Sequence, residues 1–374
     1  MSASETAATE IVATTSQTDP VEALRDALSA ILDGLIAAGC GPHHLLSMTW
    51  EAGEPAAFHL SRHAVELAYR EVFAGFRPPI RLLPGSAPGL TIRAHHAAPA
   101  PPPDLRVDGY TLRELGRQYS PRLQADMKAL FRQWSRDGEA FRALHRGTDL
   151  AYGPARFETL DLYIPQGVPR PPVWVFVHGG YWQASDKVQH AQFAQGMLDA
   201  GFAVAMPNYG LSPQVALEQS TAQIVAVLNF LVGEAEALGI DASRLHLSGH
   251  SAGGHLAAMA LVDSDAPPIA SALLLSGLYD LKPLGHLPLG RLLGLDDTAR
   301  AERLSPLRLP RPARTRLALA VGDAESDAFK AQSVALASAW LASSPLICPG
   351  HHFSLLDGLN GGPLLDLALR TAAA

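Results

Sequence analysis

The sequence contains few cysteines and no long run of apolar residues. Its 374 residues include only two cysteines, Cys40 and Cys348, which excludes a framework of disulfides and makes a reducing cytoplasm the expected compartment. No apolar stretch approaches the length of about 20 residues that a membrane-spanning helix needs. Residues 1–20 are polar and lack a basic start followed by an apolar run, so we expect no secretory signal.

Positive charge and metal-binding motifs are also scarce. The 29 lysines and arginines are outnumbered by 36 aspartates and glutamates, and the formal net charge is −7. Because no basic block stands out, the charge pattern does not favour nucleic acid as a partner. The sequence has no HExxH motif, no CxxC pair and no phosphate-binding loop, so we expect no metal and no cofactor. The expected partner is a small-molecule substrate, with neither nucleic acid nor a membrane.

A chain of this length suits two domains, and a proline-rich segment marks their boundary. Residues 97–103 read AAPAPPP, a composition that favours extended backbone and is typical of a stiff linker. We predict a small α+β module over residues 1–97, a linker over residues 98–109 and a second domain over residues 110–374. Within the first module the pattern predicts helix, strand, helix and strand, at residues 21–38, 45–50, 60–75 and 90–95.

Predicted strands and helices alternate through the second domain. Residues 173–177 form a continuous apolar run between Pro172 and Gly179, which is typical of a buried parallel strand. Further strands are predicted at residues 157–164, 202–206, 245–247, 273–275, 317–321 and 346–347. This alternation predicts an α/β domain whose mostly parallel sheet is covered on both faces.

One of these strands is followed by the sequence Gly249-His250-Ser251-Ala252-Gly253. A G-x-S-x-G pattern between a strand and a helix is the nucleophile elbow of the α/β-hydrolase fold. The turn holds its serine in a strained conformation, and glycine two residues before and after the serine removes side chains that would collide. The pattern therefore predicts Ser251 as a catalytic nucleophile.

A second glycine-rich turn, His178-Gly179-Gly180, follows the apolar strand at residues 173–177. Glycines at this place allow backbone N–H groups to approach an oxygen atom of a substrate. Together with the N–H of Ala252, the N–H groups of Gly179 and Gly180 are predicted to form an oxyanion hole, in which each donor contributes a few kcal/mol.

The base is expected after the last strand, because the catalytic residues of this fold follow one another as serine, acid and histidine. His351 and His352 occupy that place, and chemistry alone does not choose between them. His255 is a rival. It lies one helical turn beyond Ser251 and is expected to face along that helix rather than towards the serine hydroxyl, so we interpret it as structural.

The acid is expected in the loop at residues 322–327, which contains Asp323, Glu325 and Asp327. A loop usually needs a few residues to reach the histidine, which favours Glu325 over Asp323. Either carboxylate would hold the imidazole in one tautomer and stabilise its charged form.

Several segments resemble the arylformamidases, also called kynurenine formamidases, which are α/β-hydrolases that cleave N-formylkynurenine. The segments are YSPRL (119–123), HGGYWQASDK (178–187), NYGLSP (208–213), GHSAGGHLAAM (249–259), SGLYDL (276–281), VGDAESDAFKAQS (321–333) and HHF (351–353). The resemblance implies Ser251 as nucleophile, Glu325 as acid and His352 as base. It also implies that Tyr181 and Trp182 lie near the acyl pocket.

The first module resembles the Rid family of reactive-intermediate deaminases, which hydrolyse enamines and imines and form trimers. The resemblance lies in residues 21–40, 45–53 and 59–83. It implies that Arg81, after a proline-containing bend, binds a substrate carboxylate, and that the chain is a homo-oligomer, a trimer through this module. The strand near Thr91 lacks the acidic residue of that family. We therefore expect an oligomerisation or binding module, with enamine or imine deamination as the alternative.

These observations together predict an enzyme, a serine hydrolase that acts through an acyl-enzyme. The resemblance implies that it cleaves a formamide or another amide of an aromatic amine. An esterase that acts on carboxylic esters would use every one of the same catalytic parts, so this alternative stays open.

Overall fold

The computed structural model describes residues 8–38, 40–73, 78–97 and 105–373. Contacts between residues divide the chain into two compact units. The first unit comprises Met1–Leu123 and Pro283–Asp296, and the second comprises Gln124–Lys282 and Asp297–Ala374. The sequence instead predicted a single boundary in the proline-rich segment, with an uninterrupted second domain from residue 110.

The first unit is an α+β structure with a four-stranded sheet. Its strand order is β1-β4-β2-β3, in which β2 and β3 are parallel and β4 is antiparallel to both β1 and β2. The elements are β1 (Thr9–Thr15), α1 (Pro20–Ala37), β2 (Leu45–Ala52), α2 (Pro55–Leu60), α3 (Arg62–Phe73), β3 (Ile80–Pro84), β4 (Leu90–His96), β5 (Arg106–Val107), β6 (Tyr110–Thr111) and α4 (Leu112–Gln118).

The predicted order of helix, strand, helix and strand was wrong in omitting β1 and β3. Both are edge strands of the sheet, so only part of each strand needs apolar side chains. In β1, Ala13 is the one residue that is fully buried, and the strand therefore lacks a strong alternating pattern. In β3 no residue is fully buried, and Pro84 is its last residue. Proline has no N–H to donate to a neighbouring strand, and an edge strand tolerates this because one of its sides has no neighbour.

The helix α1 begins where the sequence predicted. The side chain of Asp19 accepts hydrogen bonds from the N–H groups of Val21 and Glu22, and Pro20 occupies the first helical position. This arrangement satisfies N–H groups that have no partner inside the helix. Its apolar face is fully buried in the core of the first unit, at Leu24, Leu28, Ile31 and Leu35.

Residues beyond the predicted boundary join the first unit through specific contacts. Arg122 donates a hydrogen bond to Asp33 of α1, with an N–O distance of 3.1 Å. In the later segment of this unit, Leu287 lies beside Gly116 of α4. Of the predicted linker, residues 98–104 lie outside the described residues, and β5 pairs with β6 in a short hairpin.

The second unit contains the predicted α/β domain. Its strands are β7 (Thr148–Ala151), β8 (Thr159–Tyr163), β9 (Pro172–Val177), β10 (Ala203–Pro207), β11 (Asp241–His250), β12 (Ser271–Leu275), β13 (Arg316–Gly322) and β14 (Leu346–Cys348). The helices that follow α4 in the chain are α5 (Met127–His145), α6 (Lys187–His190), α7 (Gln195–Asp199), α8 (Leu217–Gly233), α9 (Ala252–Leu261), α10 (Lys282–Gly285), α11 (Pro288–Leu292, in the first unit), α12 (Thr298–Arg303), α13 (Asp327–Ala339) and α14 (Pro363–Ala373).

The eight strands form one sheet in the order β14-β13-β12-β11-β9-β10-β8-β7. The six strands from β14 to β10 are parallel, and β8 is antiparallel to both of its neighbours. Every residue of β9, β10 and β12 is buried, as expected where helices cover both faces of a parallel sheet. The predicted mostly parallel α/β sheet is thus confirmed, and it aligns the carboxyl ends of β9, β11, β12, β13 and β14 along one edge.

Both cysteines are buried and free, Cys40 in the first unit and Cys348 in the second. Among the described residues, we find no helix with the length and apolar character needed to span a membrane.

Candidate active site

Ser251 occupies the turn between β11 and α9 in a conformation that L-residues rarely adopt, with φ 55° and ψ −119°. Such strain persists only where the surroundings enforce it. A side chain at Gly249 would collide with the carbonyl oxygen of Gly253, and one at Gly253 would collide with the carbonyl oxygen of Val177. The two glycines of the motif therefore allow the tight turn, as the sequence predicted.

Two of the residues predicted for an oxyanion hole, Gly179 and Ala252, lie directly next to Ser251. A Cβ atom on Gly179 would lie 3.1 Å from the Cβ of Ser251, so Gly179 is in close contact with the serine. Ala252 is the first residue of α9. The N–H groups at the start of a helix have no acceptor inside the helix, and this end of the helix carries partial positive charge. Gly180, with φ 109°, turns the chain and accepts hydrogen bonds from the N–H groups of Gln183 and Ala184.

The structure pairs one acid with one histidine among the open alternatives. The Nδ1 atom of His352, after β14, lies 2.7 Å from Oε2 of Glu325, after β13. Asp323 instead accepts a hydrogen bond from the N–H of Gly350 at 2.8 Å. The Nδ1 atom of His351 accepts hydrogen bonds from backbone N–H groups of its own loop. Glu325 and His352 are therefore the acid–histidine pair that this geometry offers.

The second oxygen of Glu325 is held by two further donors. Its Oε1 accepts a hydrogen bond from the hydroxyl of Ser276 at 2.5 Å and one from the N–H of Gly322 at 2.8 Å. Burial alone would raise the pKa of this carboxyl, but His352 and the hydrogen bonds from Ser276 and Gly322 together hold the pKa below its ordinary value. Glu325 is thus kept ionised and fixed in orientation.

Three other histidines around the turn are bonded elsewhere. His255 accepts from the indole N–H of Trp182 at its Nδ1 and donates to the carbonyl of Leu304 from its Nε2, and burial lowers its pKa to about 4. Burial likewise lowers the pKa of His178, which stacks on a tyrosine, and of His250. The Nε2 of His250 donates to the backbone carbonyl of His352 at 2.8 Å. All three are neutral and support the surrounding loops.

Tyr181 and Trp182, which the resemblance implied near the acyl pocket, lie directly after Gly180 and have positive φ angles of 50° and 58°. Trp182 is fully buried and bonded to His255, so in this structure it supports the loop from beneath. Tyr181 is only partly buried, so it is the more accessible residue of the pair.

Arg81 belongs to a different unit from the proposed catalytic residues. It is exposed on β3 of the first unit, opposite Thr49 of β2, whereas Ser251, Glu325 and His352 belong to the second unit.

Ser276 was not predicted from the sequence as a residue of the site. It follows β12 directly, with φ 46°, and its position was open to prediction, because a polar residue at the carboxyl end of a parallel strand beside the nucleophile strand faces the site.

Comparison with known proteins agrees with this architecture. The family model described as BD-FAE matches residues 160–272, a stretch that includes both glycine-rich turns. A kynurenine formamidase from Danio rerio is 30% identical over 262 residues, which cover 65% of this chain and 87% of that protein.

Solved structures show the same fold. A Silicibacter protein described as a candidate thioesterase is 33% identical, with a TM-score of 0.60, and the match covers 66% of this chain and 94% of that one. A truncated carbohydrate esterase from gut microbiota, 19% identical with a TM-score of 0.55, covers 61% of this chain and 96% of its own; at that identity it supports the fold alone.

Proposed function

The chain belongs to the kynurenine formamidase family of α/β-hydrolases, and from that membership we propose that it is a serine hydrolase that cleaves a formamide or another amide of an aromatic amine. N-formylkynurenine represents the substrate class. The proposal depends above all on two features of the second unit, the Glu325–His352 hydrogen bond and the serine held in the strained turn.

In the proposed mechanism the Oγ of Ser251 attacks the carbonyl carbon of the substrate. His352 accepts the serine proton at Nε2, because its Nδ1 is turned towards Glu325. The oxyanion receives hydrogen bonds from the N–H groups of Ala252, Gly179 and Gly180. His352 then protonates the leaving nitrogen, the amine departs, and a water molecule activated by the same imidazole hydrolyses the acyl-enzyme.

The alternative is hydrolysis of a carboxylic ester or thioester by the same residues. The similarity to the Silicibacter protein, at 33% identity, supports this candidate, since that protein is described as a candidate thioesterase. The chemical difference lies in the leaving group. An amine must be protonated as it departs, whereas an alkoxide or thiolate leaves more easily, so the two activities place different demands on His352.

A panel of matched substrates separates these candidates. We expect kcat/KM for an N-formyl arylamine to exceed that for the corresponding N-acetyl arylamine and for p-nitrophenyl acetate, measured at one pH with the same preparation. The reason for comparing formyl with acetyl is that only the acyl group changes while the leaving amine stays constant. A higher kcat/KM for the p-nitrophenyl ester, with no measurable formamide cleavage, would favour the esterase.

We also propose that the first unit assembles the chain into a homo-oligomer, a trimer. Alternate residues of β4 are fully buried, while Thr91, Arg93 and His95 on the opposite face are only partly buried. One face of this sheet already packs on the core of the first unit, so the opposite face is the one that a partner copy would cover.

Light scattering is expected to give about three times the monomer mass of 39.7 kDa. Thr91→Arg, which places a long charged side chain on this face, is expected to lower that mass while hydrolysis that depends on Ser251 continues. A wild-type protein with the mass of a monomer would contradict the proposal.

A further inference from the structure

We propose that Gln124 is a positioning residue that fastens the loop of the acid to the loop of the base. This inference rests on the proposed function, because it assigns Gln124 a role in orienting Glu325 and His352. Gln124 touches neither the substrate carbonyl nor the triad side chains in this scheme; it acts through backbone groups.

The side-chain amide of Gln124 bridges two loops that are far apart in sequence. Its Nε2 donates a hydrogen bond to the carbonyl of Ala324 at 3.1 Å. Its Oε1 accepts a hydrogen bond from the backbone N–H of His352 at 3.4 Å. Only this orientation of the amide suits both partners, because a carbonyl needs a donor and an N–H needs an acceptor.

The two bonded groups are next to the catalytic side chains. The carbonyl of Ala324 belongs to the peptide bond that leads into Glu325, and the N–H is that of His352 itself. On the other side of this residue, the Nε2 of His250 holds the carbonyl of His352 at 2.8 Å. The backbone of the base is therefore held from both sides by side chains of other elements.

Apart from the bond between Glu325 and His352, the other hydrogen bonds between these loops lie nearer to their stems. The N–H of Ala324 donates to the carbonyl of Gly350, and the N–H of Gly350 donates to Asp323. The base loop, which contains Gly350, follows β14, a strand of only three residues at the edge of the sheet. Few ladder bonds therefore constrain the tip of this loop, and Gln124 supplies a bond at that place.

Gln124 itself has a firm anchor in α5. This helix starts three residues later, at Met127, and its first turn is capped by Asp126, whose carboxylate accepts the N–H of Ala129 at 3.1 Å. This cap stabilises the first turn of the helix, whereas the position of the helix beside Gln124 is set by its packing. The helix continues for 19 residues and packs in the core of the second unit through Trp134 and Phe141.

The test compares Gln124→Ala and Gln124→Met with the wild type, using p-nitrophenyl acetate and a fluorophosphonate probe. We expect kcat and the second-order rate of phosphonylation to fall by about 10- to 100-fold in both variants, because small displacements of a catalytic pair cost this much. KM is expected to change by less than about twofold, since no substrate contact is lost. Methionine keeps the length of the side chain without its polar atoms, and so separates hydrogen bonding from packing.

Asp126→Ala is the matched control. It removes a helix cap two residues away and is expected to lower the melting temperature while leaving kcat within about twofold of the wild type. Gln124→Met with wild-type kcat and phosphonylation rate would overturn the inference and leave the proposed function intact. A wild-type protein that does not react with the probe would instead contradict the proposed function.

Discussion

Ser251→Ala is expected to abolish hydrolysis almost completely, with a fall in kcat on the order of 10⁶-fold. The substitution removes the one atom that forms the covalent intermediate, and neither Glu325 nor His352 is placed to replace it. Because only the Oγ is lost, the strained turn and its glycines are unchanged, and the protein is expected to fold normally. The measurement is single-turnover hydrolysis of an N-formyl arylamine, together with labelling by a fluorophosphonate probe.

Ser248 offers a matched control for this experiment. It lies three residues earlier on β11, is fully buried, and donates a hydrogen bond from its hydroxyl to the carbonyl of Val175. Ser248→Ala loses a serine hydroxyl of the same strand without touching the proposed chemistry. We expect the probe to label the wild type and Ser248→Ala but not Ser251→Ala. Persistent labelling of Ser251→Ala would remove Ser251 as the nucleophile.

The turn that carries Ser251 was predictable because its determinants are local. The strand, two glycines, the serine and the helix follow one another within 21 residues of β11 and α9, and steric limits on the turn restrict which residues fit there. The parallel sheet was predictable for a similar reason, since continuous apolar runs such as β9 indicate burial on both faces.

Which acid pairs with the catalytic histidine depends on interatomic distances, and the sequence does not give these. Asp323 and Glu325 are two residues apart in one acidic loop, and the argument from loop reach favoured Glu325 without a measurement. In the structure, the carboxylate of Asp323 accepts a hydrogen bond from the N–H of Gly350, and the carboxylate of Glu325 is hydrogen-bonded to His352. A single hydrogen bond to a backbone N–H therefore separates the two candidates.

Gln124, which contacts the loops of the site from a distant part of the chain, left no signal in the sequence. It is separated from His352 by 228 positions. Polar contacts between loops follow no period, unlike the apolar faces of helices and strands. The edge strands β1 and β3 were missed because partial burial requires only a weak apolar pattern.

The surroundings of Glu325 determine what its amide analogue would do. The Oε1 atom accepts two hydrogen bonds, from Ser276 and from the N–H of Gly322, so this position requires an acceptor. In Glu325→Gln the amide oxygen must therefore occupy the Oε1 position, and the NH₂ group faces the Nδ1 of His352. A donor at that place selects the tautomer of imidazole that carries its proton on Nε2, and this tautomer cannot accept the proton of Ser251.

We therefore expect Glu325→Gln to lower kcat by about 10⁴-fold while the fold is preserved. Asp323→Asn is the matched control, because its amide oxygen can still accept the N–H of Gly350, and we expect its kcat to stay within about threefold of the wild type, a change of less than about 1 kcal/mol. Both variants are compared by kcat for the N-formyl arylamine and by thermal unfolding. If Asp323→Asn is the variant that loses activity and Glu325→Gln retains it, Glu325 is not the acid, and the hydrogen bond between Glu325 and His352 has only a structural role.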